Sequence, residues 1–351
     1  MQKETLELFI QDINNIREYI KYIEIVNNIE GITTSSSNIP LLQLRDHLRS
    51  FGVSKKIFEY KSITISLYGI LEKHIGIWIK EYLDNLPDIV ANYNDLPDRI
   101  REDHFNLSVK LLALINENRY AKYNDIDKKK VLSKLNSCIE NPLEFQLNSD
   151  AFYLQSGNLK HVKVSEAFAC LDIKLNDVLK VIGIRPESLL FNNVSNVSNR
   201  GDDLFNLIDD LVERRNYIAH GGQIDDILNI TEFDEYINFL EAYGKAIFQA
   251  LSERLIEFEA KHLYKKIEKI HAVYQSGSVL CFELENNKIF LGDSIIVKLI
   301  EGGFTKKKVL EIQIEQNKYP NISTTKTIDI GINVGGGISK GQTFFIKRSN
   351  I

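Results

Sequence analysis

Arg215 and His220, five positions apart in the run Arg214-Arg215-Asn216-Tyr217-Ile218-Ala219-His220-Gly221-Gly222, are residue types able to handle a phosphodiester. A guanidinium keeps its charge at any physiological pH and offers a planar fork of N–H donors to phosphoryl oxygens. An imidazole gains or loses a proton near neutrality. Together they could neutralise charge building on a phosphate and move the proton of an attacking hydroxyl. Asn216, four residues before His220, could orient the imidazole or bind phosphate. Arg214 and Glu72 are candidates for further substrate contact, Glu72 the weaker of the two.

What must position these side chains is a helix. Residues 203–220 at 100° per residue place Leu204, Ile208, Leu211 and Ile218 on one stripe after an Asp202/Asp203 cap. Arg215 falls inside that stripe, where an unpaired charge is costly to bury. It must meet a carboxylate, a second subunit or an anionic ligand. Glu72 is one such carboxylate, because its neighbours at helical spacing, Tyr68, Ile75 and Ile79, are apolar. Gly221-Gly222 is a stop signal, so His220 sits at the helix end, where the macrodipole favours a protonated ring. The plain structural alternatives are a buried ion pair for Arg215 and a C-cap for His220. Five residues turn a helix by about 140°, so one helix does not aim both groups at one phosphate. Two copies related by a symmetric dimer would complete a shared cleft.

Helical spacing recurs across residues 3–29, 61–85, 99–116, 127–138, 165–182 and 231–268, with Thr33 to Asn38 as a loop. Pro87, Pro97, Pro142 and Pro186 fall between or at the edges of these segments. After about residue 268 the pattern becomes strand-like: 279–284, 294–299 and 308–314, separated by turns at Asn286-Asn287, Gly292-Asp293 and Gly302-Gly303. Six or so short strands in this length predict a small β-barrel. The expected class is a multidomain α + β protein. It has an N-terminal helix and connector (1–54), an all-α helical domain (55–267) and the barrel (268–351).

Composition removes several functional classes. No apolar stretch reaches the ~18 residues of a membrane helix, and the acidic start is unlike a signal peptide. Cys138, Cys170 and Cys281 lie far apart and fit a reducing, cytoplasmic setting. His47, His74, His104, His161, His262 and His271 show no metal-ligand spacing, so neither metal nor cofactor is expected. The net charge is −5, but residues 262–351 hold 13 Lys+Arg against 8 Asp+Glu, and the rest holds 30 against 40. Nucleic-acid affinity is therefore expected in the basic tail, or in clusters such as Lys128-Lys129-Lys130 and Lys306-Lys307-Lys308.

The segment from Asp209-Asp210-Leu211-Val212 through Arg215-Asn216 to His220-Gly221 resembles the R-x4–6-H motif of the HEPN superfamily, in its RiboL-PSP-HEPN branch. The resemblance spans about residues 55–260. It implies an up-down helical bundle, a homodimer with a composite site, and endonucleolytic cleavage of RNA (tRNA, rRNA or mRNA) without metal. It also implies a role as an antiphage defence effector or toxin, with an antitoxin or defence-system partner. Arg215, His220 and Asn216 would be the catalytic set. Some HEPN proteins keep the fold without nuclease activity, so the alternative is an RNA- or ribosome-binding dimerisation module. The tail, through Gly292-Asp293-Ser294, Lys308 to Gln313, Ile330 to Val334 and Lys340-Gly341-Gln342, resembles domain II of translational GTPases. Gly335-Gly336-Gly337 is no Walker A loop, since no Gly-Lys-Ser/Thr follows it.

Overall fold

The computed structural model describes all residues except 32–38, 118–122, 124, 154–157, 183–204, 223–225 and 349–351. The loop expected over Thr33 to Asn38, the Asp202/Asp203 cap, Leu204 and Pro186 lie outside the described residues. Among those described, the elements are α1 (Lys3–Gly31), α2 (Ile39–Ile89), α3 (Asp98–Glu117), α4 (Lys128–Glu140), α5 (Ser149–Phe152), α6 (His161–Ala169), α7 (Leu175–Ile182), α8 (Asn206–Ala219) and α9 (Ile230–His262). Nine strands follow: β1 (Tyr264–Lys266), β2 (Ile270–Tyr274), β3 (Val279–Phe290), β4 (Ser294–Lys298), β5 (Phe304–Lys308), β6 (Glu311–Ile314), β7 (Asn317–Tyr319), β8 (Asn321–Asn333) and β9 (Thr343–Lys347). The chain forms two compact units, Met1–Glu81 with Ser149–Gln249, and Tyr82–Asn148 with Ala250–Ile351.

In the first unit, three helices meet at Phe9. Its ring packs edge-on against His74 at 5.3 Å and Trp78 at 5.2 Å, and Trp78 meets Phe248 of α9 at 5.6 Å. A Cβ on Gly244 would lie 2.3 Å from the Phe9 ring, so glycine is what lets α9 come this close. Helix α2 is 51 residues long and contains the stretch read as 61–85; its extension begins with Pro40 in the first turn, where no helical N–H is lost. Pro87 lies inside the last turn of α2 rather than beyond it. The single helix expected over 165–182 is two. It breaks at residues 170–174, where Asp172 takes φ 57° and Leu171 and Ile173 turn into the core.

In the second unit, a buried chain of hydrogen bonds joins α3 to its surroundings. The backbone N–H of Asn148 donates to His104 Nε2 (3.0 Å), which places the ring proton on Nδ1, facing the Tyr93 hydroxyl at 3.2 Å. Tyr93 in turn donates to the carbonyl of Arg101 (3.2 Å). Burial pushes the His104 imidazole down to about 4 and keeps it neutral.

The strands form two antiparallel sheets, ordered β1-β9-β4-β5 and β2-β3-β8-β6-β7. Both contribute to one apolar core, including Ile295, Val297, Phe344 and Ile346 from the first, and Leu280, Phe282, Ile330 and Ile332 from the second. Among the described residues no ladder joins one sheet to the other, so the strand pairing is that of a sandwich and not of the closed barrel expected. Two details explain the difference. The segment read as one strand over 308–314 crosses between sheets at Val309-Leu310, whose N–H groups bond Asp293 and Asn333. Asn286-Asn287 is a bulge within β3 and not a turn. Asn286 takes φ 43°, and buried Asn287 donates to the Lys347 carbonyl at 3.0 Å, tying one sheet to the other.

Candidate active site

Helix α8 presents Ile208, Leu211 and Val212 to the core. Just before it, Phe205 stacks on buried His161 with ring centroids 3.5 Å apart. Asp209 accepts the N–H of His161 at 2.8 Å and so caps the start of α6. Burial lowers the His161 pKa, against the opposing pull of its Asn176 hydrogen bond and the Asp209 charge. Lys160 and Glu213 pair across the same junction at 2.6 Å.

The two neighbouring arginines are used differently. Arg214 donates Nε to Asp210 (2.6 Å), Nη2 to Asp226 Oδ2 (3.0 Å), and Nη1 to the Tyr60 hydroxyl and the Asp226 carbonyl (both 3.2 Å). Tyr236 also donates to Asp210. Burial of Arg214 opposes its charge, but the bonds from Tyr60, Asp210 and Asp226 outweigh it and raise the pKa. Arg214, expected as a substrate contact, thus clamps α8 to the segment at Asp226. Tyr60 also lines a cavity of about 530 Å³ with Asn27, Lys56, Asn229 and Phe233.

Arg215 lies over the ring of Tyr68, 4.6 Å from its centroid, and donates Nη1 to Asn216 Oδ1 at 2.9 Å. A cation on an aromatic face gains about 0.5–2 kcal/mol. Tyr68 has its pKa raised by burial and by the charge of Glu72, with Arg215 opposing. Glu72 lies one helical turn beyond Tyr68 on α2, and its backbone carbonyl accepts the Tyr153 hydroxyl at 2.6 Å. Arg215, Asn216, Tyr68 and Glu72 form one neighbourhood.

His220 is the exposed C-cap of α8. Gly222 N–H bonds the Tyr217 carbonyl (3.0 Å) and Gly221 N–H that of Ile218 (3.2 Å), a Schellman ending. Gly221 takes φ 73°, which a side chain would strain. The Asn216 amide oxygen, one candidate for orienting the imidazole, accepts from Arg215. One chain thus brings Arg215, Asn216 and Glu72 together and leaves His220 at the helix end.

Against this arrangement, the family model for RiboL-PSP-HEPN matches residues 41–253. The chain belongs to the RiboL-PSP-HEPN family. The match covers the whole of α8 and most of α2 and α9, the helices that carry or flank these residues. No curated protein and no solved structure matches the chain. Among the described residues, no helix is long and apolar enough to cross a membrane.

The sheets hold a cluster that spacing along the chain does not reveal. His271 of β2, Glu283 of β3 and Asp329 of β8 bring ligand atoms within 4.8 Å of one another. His271 stands at a register shift, its Nε2 2.8 Å from Asp329 Oδ1, and Glu283 faces Asp329 across β3 and β8. Lys269 pairs with Glu283 at 3.0 Å. These groups could hold a divalent cation, but strand register, not sequence separation, makes them neighbours.

Proposed function

We propose that this RiboL-PSP-HEPN protein is an endoribonuclease that cuts RNA without a metal ion. The observation that carries the reading is Arg215, placed over Tyr68 and bonded to Asn216, on the helix that ends in exposed His220. The substrate's 2′-oxygen bonds to phosphorus and loses its proton to a base. The P–O5′ bond breaks, and the 5′-oxygen takes up a proton. Arg215 neutralises the phosphoryl oxygens during this exchange, and His220 moves the proton. Because the nucleophile belongs to the substrate and charge is met by a guanidinium, no step calls for a metal.

His220 of one copy, exposed at its helix end, would complete the Arg215 neighbourhood of another, giving a homodimer with a composite site. Arg214 would serve by fixing α8 against Asp226. A cytoplasmic toxin or antiphage effector, restrained by a partner protein, is the setting this chemistry fits. A second reading has its own observation: His220 is an exposed helix C-cap and the Asn216 amide oxygen accepts from Arg215, as suits a non-catalytic RNA- or ribosome-binding dimerisation module.

Incubating the protein with total cellular RNA in EDTA separates the two. Cleavage leaving 2′,3′-cyclic phosphate and 5′-hydroxyl ends is expected. A strict Mg²⁺ requirement or 3′-hydroxyl products would exclude the mechanism, and intact RNA that is nonetheless bound would favour the second reading.

A further inference from the structure

In the second compact unit a groove of about 870 Å³ is lined by the end of α9, β1 and β9 together with Phe282 to Glu285 of β3 and Thr327 of β8. Five cationic side chains line it, Lys261, Lys265, Lys266, Lys269 and Arg348, against the carboxylates of Glu268, Glu283 and Glu285. Lys266 and Lys269 are already paired, with Glu268 at 3.1 Å and Glu283 at 3.0 Å.

Two of the other cations are held differently. Arg348 donates Nε to the Tyr264 carbonyl at 2.8 Å and Nη2 to the Lys261 carbonyl at 3.4 Å. Lys265 donates to the Glu285 carbonyl at 2.5 Å. Backbone carbonyls fix a cation's position without cancelling its charge, so these heads are ordered in advance and still attract anions. Half-buried Phe345 also lines the groove, steadied by Phe304 with ring centroids 6.3 Å apart. Ordered cations along a trough, with an aromatic side chain beside them, are the means by which proteins hold single-stranded nucleic acid.

We propose that this groove binds single-stranded RNA, with phosphates on Lys261, Lys265 and Arg348 and a base against Phe345. The assignment of RNA as the polyanion rests on the ribonuclease reading; the groove itself is a separate site of affinity. An acidic peptide is the competing occupant. The free edge of β1 suits it less, because that strand has three residues and Arg348 already occupies its Tyr264 carbonyl.

The test uses the full chain and a short single-stranded RNA methylated at every 2′-oxygen, which lacks the nucleophile. Fluorescence anisotropy across a salt series reads affinity whether or not the protein cuts. Lys261→Glu/Lys265→Glu should weaken binding by ~10-fold or more and reduce the slope of log affinity against log salt by about 1.4, two phosphate contacts' worth. Lys318→Glu/Lys340→Glu makes the same charge change away from the groove and should shift affinity by less than about 3-fold. If charge reversal unfolds β1, Lys261→Gln/Lys265→Gln is read instead. Equal losses from both pairs, or none from the groove pair, overturn the proposal. A polyglutamate peptide that binds the groove more tightly than the RNA overturns it in favour of an acidic partner. Groove-dependent binding with no cleavage of unmodified RNA would sink only the nuclease reading.

Discussion

The helices and the sandwich solve the burial problem in opposite ways. Among the described residues, Lys55, Thr64, His74, His104, Ser108, Asn148, Ser149 and His161 are buried around the helices, and in the sandwich the buried polar side chain is Asn287. Apolar alternation specifies the sheets, and a residue's place follows from strand register. The helical parts add directional bonds, and Asp209, Asp210, Tyr60 and Tyr236 each have a stated partner. Buried polar groups fix one geometry at the risk of a large penalty when a partner is lost. Arg215 draws on this kind of holding through Tyr68 and Asn216, whereas His220 stands exposed at its helix end.

This contrast can be broken at several points. The largest effect should come from Phe282→Ala in the sandwich core, at about 3–5 kcal/mol, because a fully buried ring is lost and a cavity remains. Denaturant unfolding measures it; a loss under about 1 kcal/mol would mean the sheets do not depend on that apolar core.

Next comes acid sensitivity in the helical region. An unfolded imidazole titrates near 6.5, and folded His104 near 4, so the unfolded chain takes up the proton first as pH falls. Stability is full above about 6.5 and declines toward about 4, by at most about 3 kcal/mol. Burial also lowers the pKa values of His74 and His161, which add in the same direction. His104→Gln should flatten the unfolding-against-pH curve; an equally steep curve in the variant would remove His104 as its cause.

Arg215→Ala and His220→Ala should each lower RNA cleavage by ~10²-fold or more, about 2.7 kcal/mol on the barrier, with helix content unchanged. Two folded variants as active as the parent would empty the site of its chemistry. The smallest effect is expected at the helix stop. Gly221→Ala forces a side chain into φ 73° and should cost about 1 kcal/mol by thermal unfolding, with no change if the Schellman ending is unimportant.

Much of this was legible in the chain because local rules carried it. The stripe of α8, its glycine stop and the place of His220 as C-cap follow from residues close in sequence. So does Glu72 near Tyr68, through the spacing on α2. Other features rest on long-range register. The Arg214 clamp needs Tyr60 and Asp226, 154 and 12 residues away. The His271 cluster draws on three strands. The crossing at Val309-Leu310 reads as continuous alternation until each N–H is traced to its own sheet. The break between α6 and α7 was hidden because Leu171 and Ile173 are apolar, as a continuing helix would also require.

The packing at the end of α9 decides how the protein can be shortened. Ala260 and Tyr264 sit against Ile296, with Ile256, Leu263, Phe304 and Phe345 beside them, and β1 pairs with β9. A chain ending at residue 268 would keep β1 without its partner and bare the apolar side of α9. Such a fragment would self-associate, and its lost solubility would mask whatever the sheets contribute to RNA. Point changes on the sandwich surface, not deletion of the sandwich, are the clean way to ask what it is for.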